Sequence, residues 1–180
     1  ALWRSSAVVD SGETELSYNL PALVSAGPGQ AEIELPLAAS FEQDISQFTI
    51  AIEFDQLLLQ MVRIEADADT FPFGSVEVVV HIDQESGVAV AELFINGYIP
   101  ASGDLPIARL VFQPQPGLLG AASYQLADGL LVDGISYSNQ AILEGDGALI
   151  AADISGAQGV VLIESTTPAP ENMTCAASSV

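Results

Sequence analysis

Alternation of apolar and polar residues, repeated in several segments, restricts this chain more than any other feature of its sequence. Apolar side chains take every second position in AEIELPL (31–37), QFTIAIEF (47–54) and VEVVVHID (76–83). Because successive side chains of a strand point to opposite faces, each segment has one apolar and one polar face. We predict further strands in GVAVAELFI (87–95) and LPIARLVFQ (105–113). The pattern is typical of half-buried strands around a shared core.

Turn residues separate these runs. Turn signals stand at AGPG (26–29), FPFG (71–74), QESG (84–87), QPQPG (113–117), ADG (127–129) and EGDG (144–147). Many short strands at this spacing, in a chain of 180 residues, are typical of one sandwich domain. We therefore predict an all-β, jelly-roll-type β-sandwich.

Two local patterns lead to more specific expectations. FDQLLLQMVRIEA (54–66) also suits a helix, and we interpret it as a strand entered through a turn at Asp55. The two strands joined by NGYIPASGD (96–104) predict a hairpin with Glu92 opposite Arg109. A cross-strand ion pair there would contribute about 0.2–1 kcal/mol.

The charge of the chain excludes some partners. It contains 24 acidic residues and three arginines but no lysine, which gives a net charge of −21. Such a charge repels nucleic acid and anionic lipid, and no segment approaches the roughly 18 apolar residues of a membrane span. We expect neither nucleic-acid binding nor membrane insertion.

One acidic cluster has the pattern of a metal site. EADAD (65–69) places Glu65, Asp67 and Asp69 at alternate positions, so an extended backbone would project all three to one side. Carboxylate oxygens are the ligands that Ca²⁺ prefers, although a solvated loop is the alternative. No other cofactor is expected.

The residues needed for catalysis are scarce. His81 is the single histidine and Cys175 the single cysteine, so the three or four His/Cys ligands of a zinc site are missing. No Gly-x-Ser-x-Gly motif provides a nucleophile, and nothing singles out a catalytic carboxylate pair. We predict that the protein is not an enzyme.

The order of four segments carries a family resemblance. The first is a Pro-Gly turn before an alternating strand, VSAGPGQAEIELPLAAS (24–40), and the second is an aromatic-Asp corner before a Leu-rich strand, ISQFTIAIEFDQLLLQMVRIEA (45–66). The third consists of two apolar strands around a polar loop, GVAVAELFINGYIPASGDLPIARLVFQPQPG (87–117). The fourth is a closing segment marked by glycines, LADGLLVDGISYSNQAILEGDGALIA (126–151). Over about residues 20–152 this order resembles a cohesin domain, the jelly-roll module of cellulosomal scaffoldins that binds dockerins. Gln56 departs from the pattern, since the family often has Pro after the corner Asp.

The resemblance implies a dockerin-like protein partner that binds one flat sheet face. An apolar centre of Ala51, Val79 and Val90 within a polar rim has the usual anatomy of an interface. The residues mapped to the face are Thr49, Ala51, Glu53, Val79, His81, Asp83, Val90 and Glu92.

The chain ends suggest another kind of function. We divide the chain into an N-terminal extension (1–15), the sandwich (16–154) and an extra apolar strand with a Pro-containing tail (155–180). Surplus apolar strands fold back or add to the sheet of a neighbouring copy, as in an extracellular filament or surface layer. The strand-addition candidates are Leu2, Trp3, Val8, Val9, Val160, Val161, Leu162 and Ile163.

Three further expectations concern sugar binding, location and modification. A carbohydrate-binding module is disfavoured because Tyr98, Tyr124 and Tyr137 form no evident stripe. The start at Ala1 suggests a mature, secreted protein located outside the cell or at its surface. The sequence leaves open whether Asn172, in a sequon, is glycosylated and whether Cys175 forms an intermolecular disulfide.

Overall fold

The computed structural model describes residues 15–165, which form strands and no helix. The candidates Leu2, Trp3, Val8 and Val9, together with Asn172 and Cys175, lie outside these residues. The fourteen strands, in chain order, are β1 (Leu16–Asn19), β2 (Leu23–Ala26), β3 (Ile33–Phe41), β4 (Ile45–Phe54), β5 (Leu59–Ala66), β6 (Val76–Asp83), β7 (Val88–Ile99), β8 (Ser102–Pro114), β9 (Gly120–Leu126), β10 (Leu130–Val132), β11 (Ile135–Tyr137), β12 (Gln140–Leu143), β13 (Leu149–Ala151) and β14 (Gln158–Ile163).

Two sheets pack face to face around one core. The small sheet has the order β1-β3-β8-β5, and the large sheet has eight strands. In the large sheet β4 is central: β7 and then β6 lie on one edge, whereas β12 and β9 pair with successive parts of the other. The strands β10 and β11 form a separate hairpin. The predicted all-β sandwich is confirmed.

Alternation along β4 positions the core. Phe48, Ile50, Ile52 and Phe54 are buried in the main cluster, as the period of two predicted. The core also contains a polar bridge between the sheets. The hydroxyl of Tyr18, on β1, donates to the backbone oxygens of Thr49 and Gln140 on the large sheet.

The corner at Asp55 forms as predicted. The backbone N–H groups of Leu58 and Leu59 donate to the Asp55 backbone oxygen, and the Asp55 side chain accepts from Leu57 N. These bonds close a turn between β4 and β5, so residues 54–66 form a turn and a strand rather than a helix.

The predicted hairpin of β7 and β8 is wrong. The chain crosses between the sheets at residues 100–101, so β7 pairs with β4 and β6 whereas β8 pairs with β3 and β5. Glu92 therefore faces Thr49 and Val79. Arg109 lies on the other sheet, where its Nη2 is 2.9 Å from Glu65. A local turn signal does not distinguish a hairpin from a crossing.

The apolar strand after residue 158 is part of the sandwich. β14 lies between β9, to which it is antiparallel, and β2, to which it is parallel. Val161 and Ile163 are buried in the core, and Val160 and Leu162 are half-buried. The expected end of the sandwich at residue 154 is therefore wrong, because the domain continues to Ile163. Both edges of β14 are paired within its own chain, so it is not a spare strand for a neighbour.

Candidate functional site

The predicted partner face is the outer face of the large sheet. The register places Thr49 beside Glu92 and Val79, Ala51 beside Val90 and His81, and Glu53 beside Val88 and Asp83. Because the alternate residues of these strands point into the core, the eight predicted side chains lie on one outward side. The structure thus brings them together on β4, β6 and β7.

The centre of this face is not open. Ala51 and Val90 are fully buried, and Thr49 is 4% exposed. The expected apolar centre is wrong as a contact surface, because another part of the chain covers it. Val132, with Leu130 and Tyr137 beside it, packs on Ala51 and Val90 in a second apolar cluster, separate from the main core.

The cover is a short hairpin that we call the flap, residues 128–138. It contains β10, β11 and a two-residue turn of Asp133 and Gly134, whose φ angles are 54° and 79°. Positive φ at both turn positions is the geometry of a type I′ hairpin, and Asp-Gly is a preferred pair for it. The flap is therefore a regular element.

The base of the flap is fixed to β4 by Asn139. Its Oδ1 accepts from Ala51 N at 2.8 Å, and its Nδ2 donates to the Ala127 oxygen at 3.0 Å. Asp128 Oδ1 accepts from both the backbone and the side chain of Asn139. Asn139 is 1% exposed, so these bonds are shielded from water. It fills the gap along β4 between β9 and β12.

A ring contact fixes the side of the flap. His81, on β6, stacks on Tyr137 with 6.2 Å between ring centroids and an interplanar angle of 29°. His81 was expected to be an outward strand residue, and the structure places it against the flap.

The flap leaves uncovered the part of the outer face that lies beyond Thr49, on the side away from Ala51. One row of outward side chains crosses five strands in the order Leu149, Ile142, Gln47, Phe94 and Glu77. Leu149 is 57% exposed and Phe94 is 38% exposed. Four strand spacings make this row about 19 Å long. It is a surface of apolar and polar side chains that the sequence prediction missed.

The flap adds two further apolar side chains. Leu131 is 64% exposed and Ile135 is 55% exposed, on either side of the turn. The flap thus buries Val132 beneath it and presents Leu131 and Ile135 to solvent.

Charge is distributed unevenly between the two sheets. The two arginines among residues 15–165 are Arg63 and Arg109, both on the small sheet. Arg63 pairs with Glu32 and Glu65, and its hydrogen bonds hold the pKa of Glu32 below its usual range. The outer face of the large sheet carries Glu53, Glu77, Asp83 and Glu92.

The predicted calcium cluster is not assembled. Glu65 is paired with Arg63 and Arg109, and Asp67 Oδ1 accepts from the backbone N–H groups of Asp69 and Thr70. Asp67 therefore forms a local turn, and Glu65 contacts cations of the protein. In the part of the chain that the structure describes, no three His, Cys, Asp or Glu side chains group as metal ligands.

The three tyrosines considered for sugar binding do not share a surface. Tyr124 is 1% exposed and its hydroxyl donates to the Pro21 backbone oxygen, whereas Tyr137 lies in the flap and Tyr98 is on the last part of β7. Within residues 15–165, no helix is long and apolar enough to span a membrane.

Comparison with known proteins shows similarity in structure alone. No family model and no curated protein matches the sequence. The cohesin of OlpA from Clostridium thermocellum, solved with a dockerin, is 17% identical with a TM-score of 0.62, and the match covers 83% of this chain and 99% of that one. The cohesin module of a family 33 glycoside hydrolase from Clostridium perfringens is 13% identical with a TM-score of 0.64, covering 85% and 99%.

A third structure is similar over the same extent. The sixth cohesin of scaffoldin B from Acetivibrio cellulolyticus, solved with a mutant Cel5 dockerin, is 16% identical with a TM-score of 0.59, covering 82% and 99%. At these identities the likeness establishes the fold. The predicted cohesin-like sandwich is confirmed.

Proposed function

We propose that this protein is a non-catalytic interaction module that binds a dockerin-like protein through the outer face of its large sheet. Two solved modules of the same fold carry a dockerin in their structures. The described residues also lack a recognisable catalytic set, since His81, the single histidine, stacks on Tyr137.

The observation that carries this proposal is the uncovered row on the outer face. Phe94 and Leu149 remain exposed on a broad sheet whose other side packs on the core. Large apolar side chains that remain exposed among polar ones mark interaction sites. Gln47 and Glu77, in the same row, supply the polar part.

Calorimetric titration with a panel of dockerin modules tests the proposal. We expect at least one module to bind, and the double variant Phe94→Ala/Leu149→Ala to bind it about tenfold or more weakly, because a few large side chains contribute most of the affinity of such interfaces. Leu23→Ala is the matched control. Leu23 is 62% exposed on the edge strand β2 of the same sheet, far along the strand order from the row. No heat from any module, or equal loss in the control, would contradict the proposal.

A secreted location is part of the same proposal. Its support is the scaffoldin origin of the Acetivibrio neighbour. Fractionation of source cells should recover the protein from the medium or the cell surface, and recovery from the cytoplasm alone would oppose it.

The filament alternative has lost one of its two strand donors. β14 is held between β9 and β2, so only the segment before residue 15, outside the described residues, remains for strand addition. No observation on residues 15–165 favours assembly of copies.

A further inference from the structure

The flap covers the area where a partner of the outer face would make its central contact. Ala51 and Val90, near the middle of the predicted face, are buried under Val132. A molecule that approaches this area therefore meets the outer side of the flap first. That side presents Leu131, which is 64% exposed and lies opposite Ser136. Ile135 lies opposite Val132, on the side of the hairpin that faces the sheet, but beside the turn it is still 55% exposed.

The flap is held firmly enough to be part of a binding surface. Four hydrogen bonds join Asn139 to Ala51, Ala127 and Asp128, and Gly129 N donates to Ser138 Oγ at 3.0 Å across the base. A contact element that is ordered before binding loses less entropy when a partner docks.

Carboxylates stand on both sides of the flap. Glu92 lies opposite Thr49, in the row on one side of Ala51 and Val90. Glu53 and Asp83 lie in the row on the other side, where they flank Val88, which packs against the cluster under the flap. The two rows are four residues apart along β4, or about 13 Å, and Glu53 and Asp83 are two strands apart, or about 10 Å. The acids thus bracket the apolar flap at a spacing that one small protein module can span.

The described residues supply no cation to neutralise this bracket. Arg63 and Arg109 lie on the small sheet and are paired there with Glu32 and Glu65. Glu53 accepts a hydrogen bond from Gln125, which is neutral. The positive charge has to come from the partner.

We propose that the flap is the central contact of the interface, and that its partner is a separate protein module with an apolar ridge for Leu131 and Ile135 and with Lys or Arg side chains for Glu53, Asp83 and Glu92. A second copy of this chain does not fit, because it would bring the same acidic face and a net charge of −21. This inference rests on the proposed binding face and adds the contact element and the partner chemistry to it.

The test uses the full chain and two probes: a dockerin module with a basic contact surface that binds in the titration above, and the same module with those Lys/Arg residues changed to Glu. Leu131→Ser/Ile135→Ser should weaken binding of the basic module about tenfold or more. Glu53→Gln/Asp83→Asn/Glu92→Gln should also weaken it and reduce its dependence on salt. Both variants change partly exposed side chains, and unaltered melting temperatures would show that the fold is intact.

Two control variants show whether any exposed apolar residue or any exposed acid would have the same effect on binding. Leu23→Ser changes another exposed apolar residue of the large sheet, and Glu42→Gln removes an exposed charge outside the bracket. Neither should change affinity more than about twofold. The basic module should bind at least tenfold more tightly than its acidic form at roughly 50 mM salt, and this preference should shrink at high salt.

The contrary outcomes are distinct. Suppose that affinity falls in Phe94→Ala/Leu149→Ala but is unchanged both in the flap variant and in the variant that neutralises the three carboxylates. This inference would then be overturned, and the proposed function would stay intact. Binding by no module would overturn both. A homodimer that Leu131→Ser/Ile135→Ser dissociates, measured by sedimentation, would overturn the claim of a separate, basic partner.

Discussion

The side chain of Asn139 takes the place of a neighbouring strand for Ala51: its Oδ1 accepts the Ala51 backbone N–H at 2.8 Å. Asn139→Ala would leave that N–H and the Ala127 oxygen without their partner in a buried site. We expect a loss of about 2–4 kcal/mol in the free energy of unfolding. Urea denaturation measures it.

The flap should loosen in the same variant. Hydrogen exchange of residues 128–138 should accelerate in Asn139→Ala more than exchange elsewhere, because the base of the hairpin loses its anchor. Asn96→Ala is the control, since Asn96 is an exposed residue of β7. Equal stability and exchange in the two variants would show that Asn139 does not anchor the flap.

The buried hydroxyl of Tyr18 should make the free energy of unfolding decrease at alkaline pH. Burial raises the pKa of the Tyr18 hydroxyl far above its ordinary 10.0. The unfolded chain loses this proton above about pH 10 while the folded chain keeps it, so stability is full below that pH and falls above it. The slope is about 1.4 kcal/mol per pH unit for this one group.

Tyr18→Phe separates the two roles of the hydroxyl. At pH 7 it should cost about 1–2 kcal/mol, because the hydrogen bonds to Thr49 and Gln140 are lost. Between pH 10 and roughly 11.5, however, its stability should decline less steeply than that of the parent. If the free energies of unfolding of the parent and of Tyr18→Phe fell equally with pH in this range, Tyr18 would not be the cause of the alkaline loss of stability.

Gly159 lets β14 fit between its neighbours. A Cβ there would lie closer than 3.0 Å to the backbone oxygens of Pro21 and Ala22 and to the hydroxyl of Tyr124. Gly159→Ala should therefore destabilise the protein by about 3 kcal/mol. Gly103→Ala should have a much smaller effect, since nothing lies within 4 Å of its Cβ position. Thermal melting compares them, and an unaffected Gly159→Ala would place β14 elsewhere.

Calcium should have no effect through the 65–69 segment. Glu65 is occupied by Arg63 and Arg109, and Asp67 by its own turn. We expect the same melting temperature in excess EDTA and in millimolar Ca²⁺. A rise with Ca²⁺ that Asp67→Asn/Asp69→Asn abolishes would restore the site rejected above.

The alternation of apolar and polar residues predicted the strands because a strand that buries one face needs an apolar residue at every second position. Phe48, Ile50, Ile52 and Phe54 face the core as the alternation of β4 requires. Which strands become neighbours is a long-range matter. The segment after Ile99 contains turn residues that suit a hairpin and a crossing equally well, and only packing sends Ser102 to the small sheet.

The hairpin of the flap could have been predicted from the sequence, but its position could not. The Asp133-Gly134 pair between LLV and ISY is a strong two-residue hairpin signal. Its position over Ala51 and Val90 has no local signal, because it depends on Asn139 meeting a gap in the sheet. Predicting outward residues from alternation therefore identified the correct face and missed its cover.

The proposed binding face is tested most directly by the footprint of a bound dockerin on the isotopically labelled protein, measured as amide chemical-shift changes by NMR. We expect changes in β4, β6, β7 and the flap, with those of Leu131, Ile135 and Phe94 among the largest. Changes concentrated on β3, β5 and β8 of the small sheet, with the flap unperturbed, would contradict it.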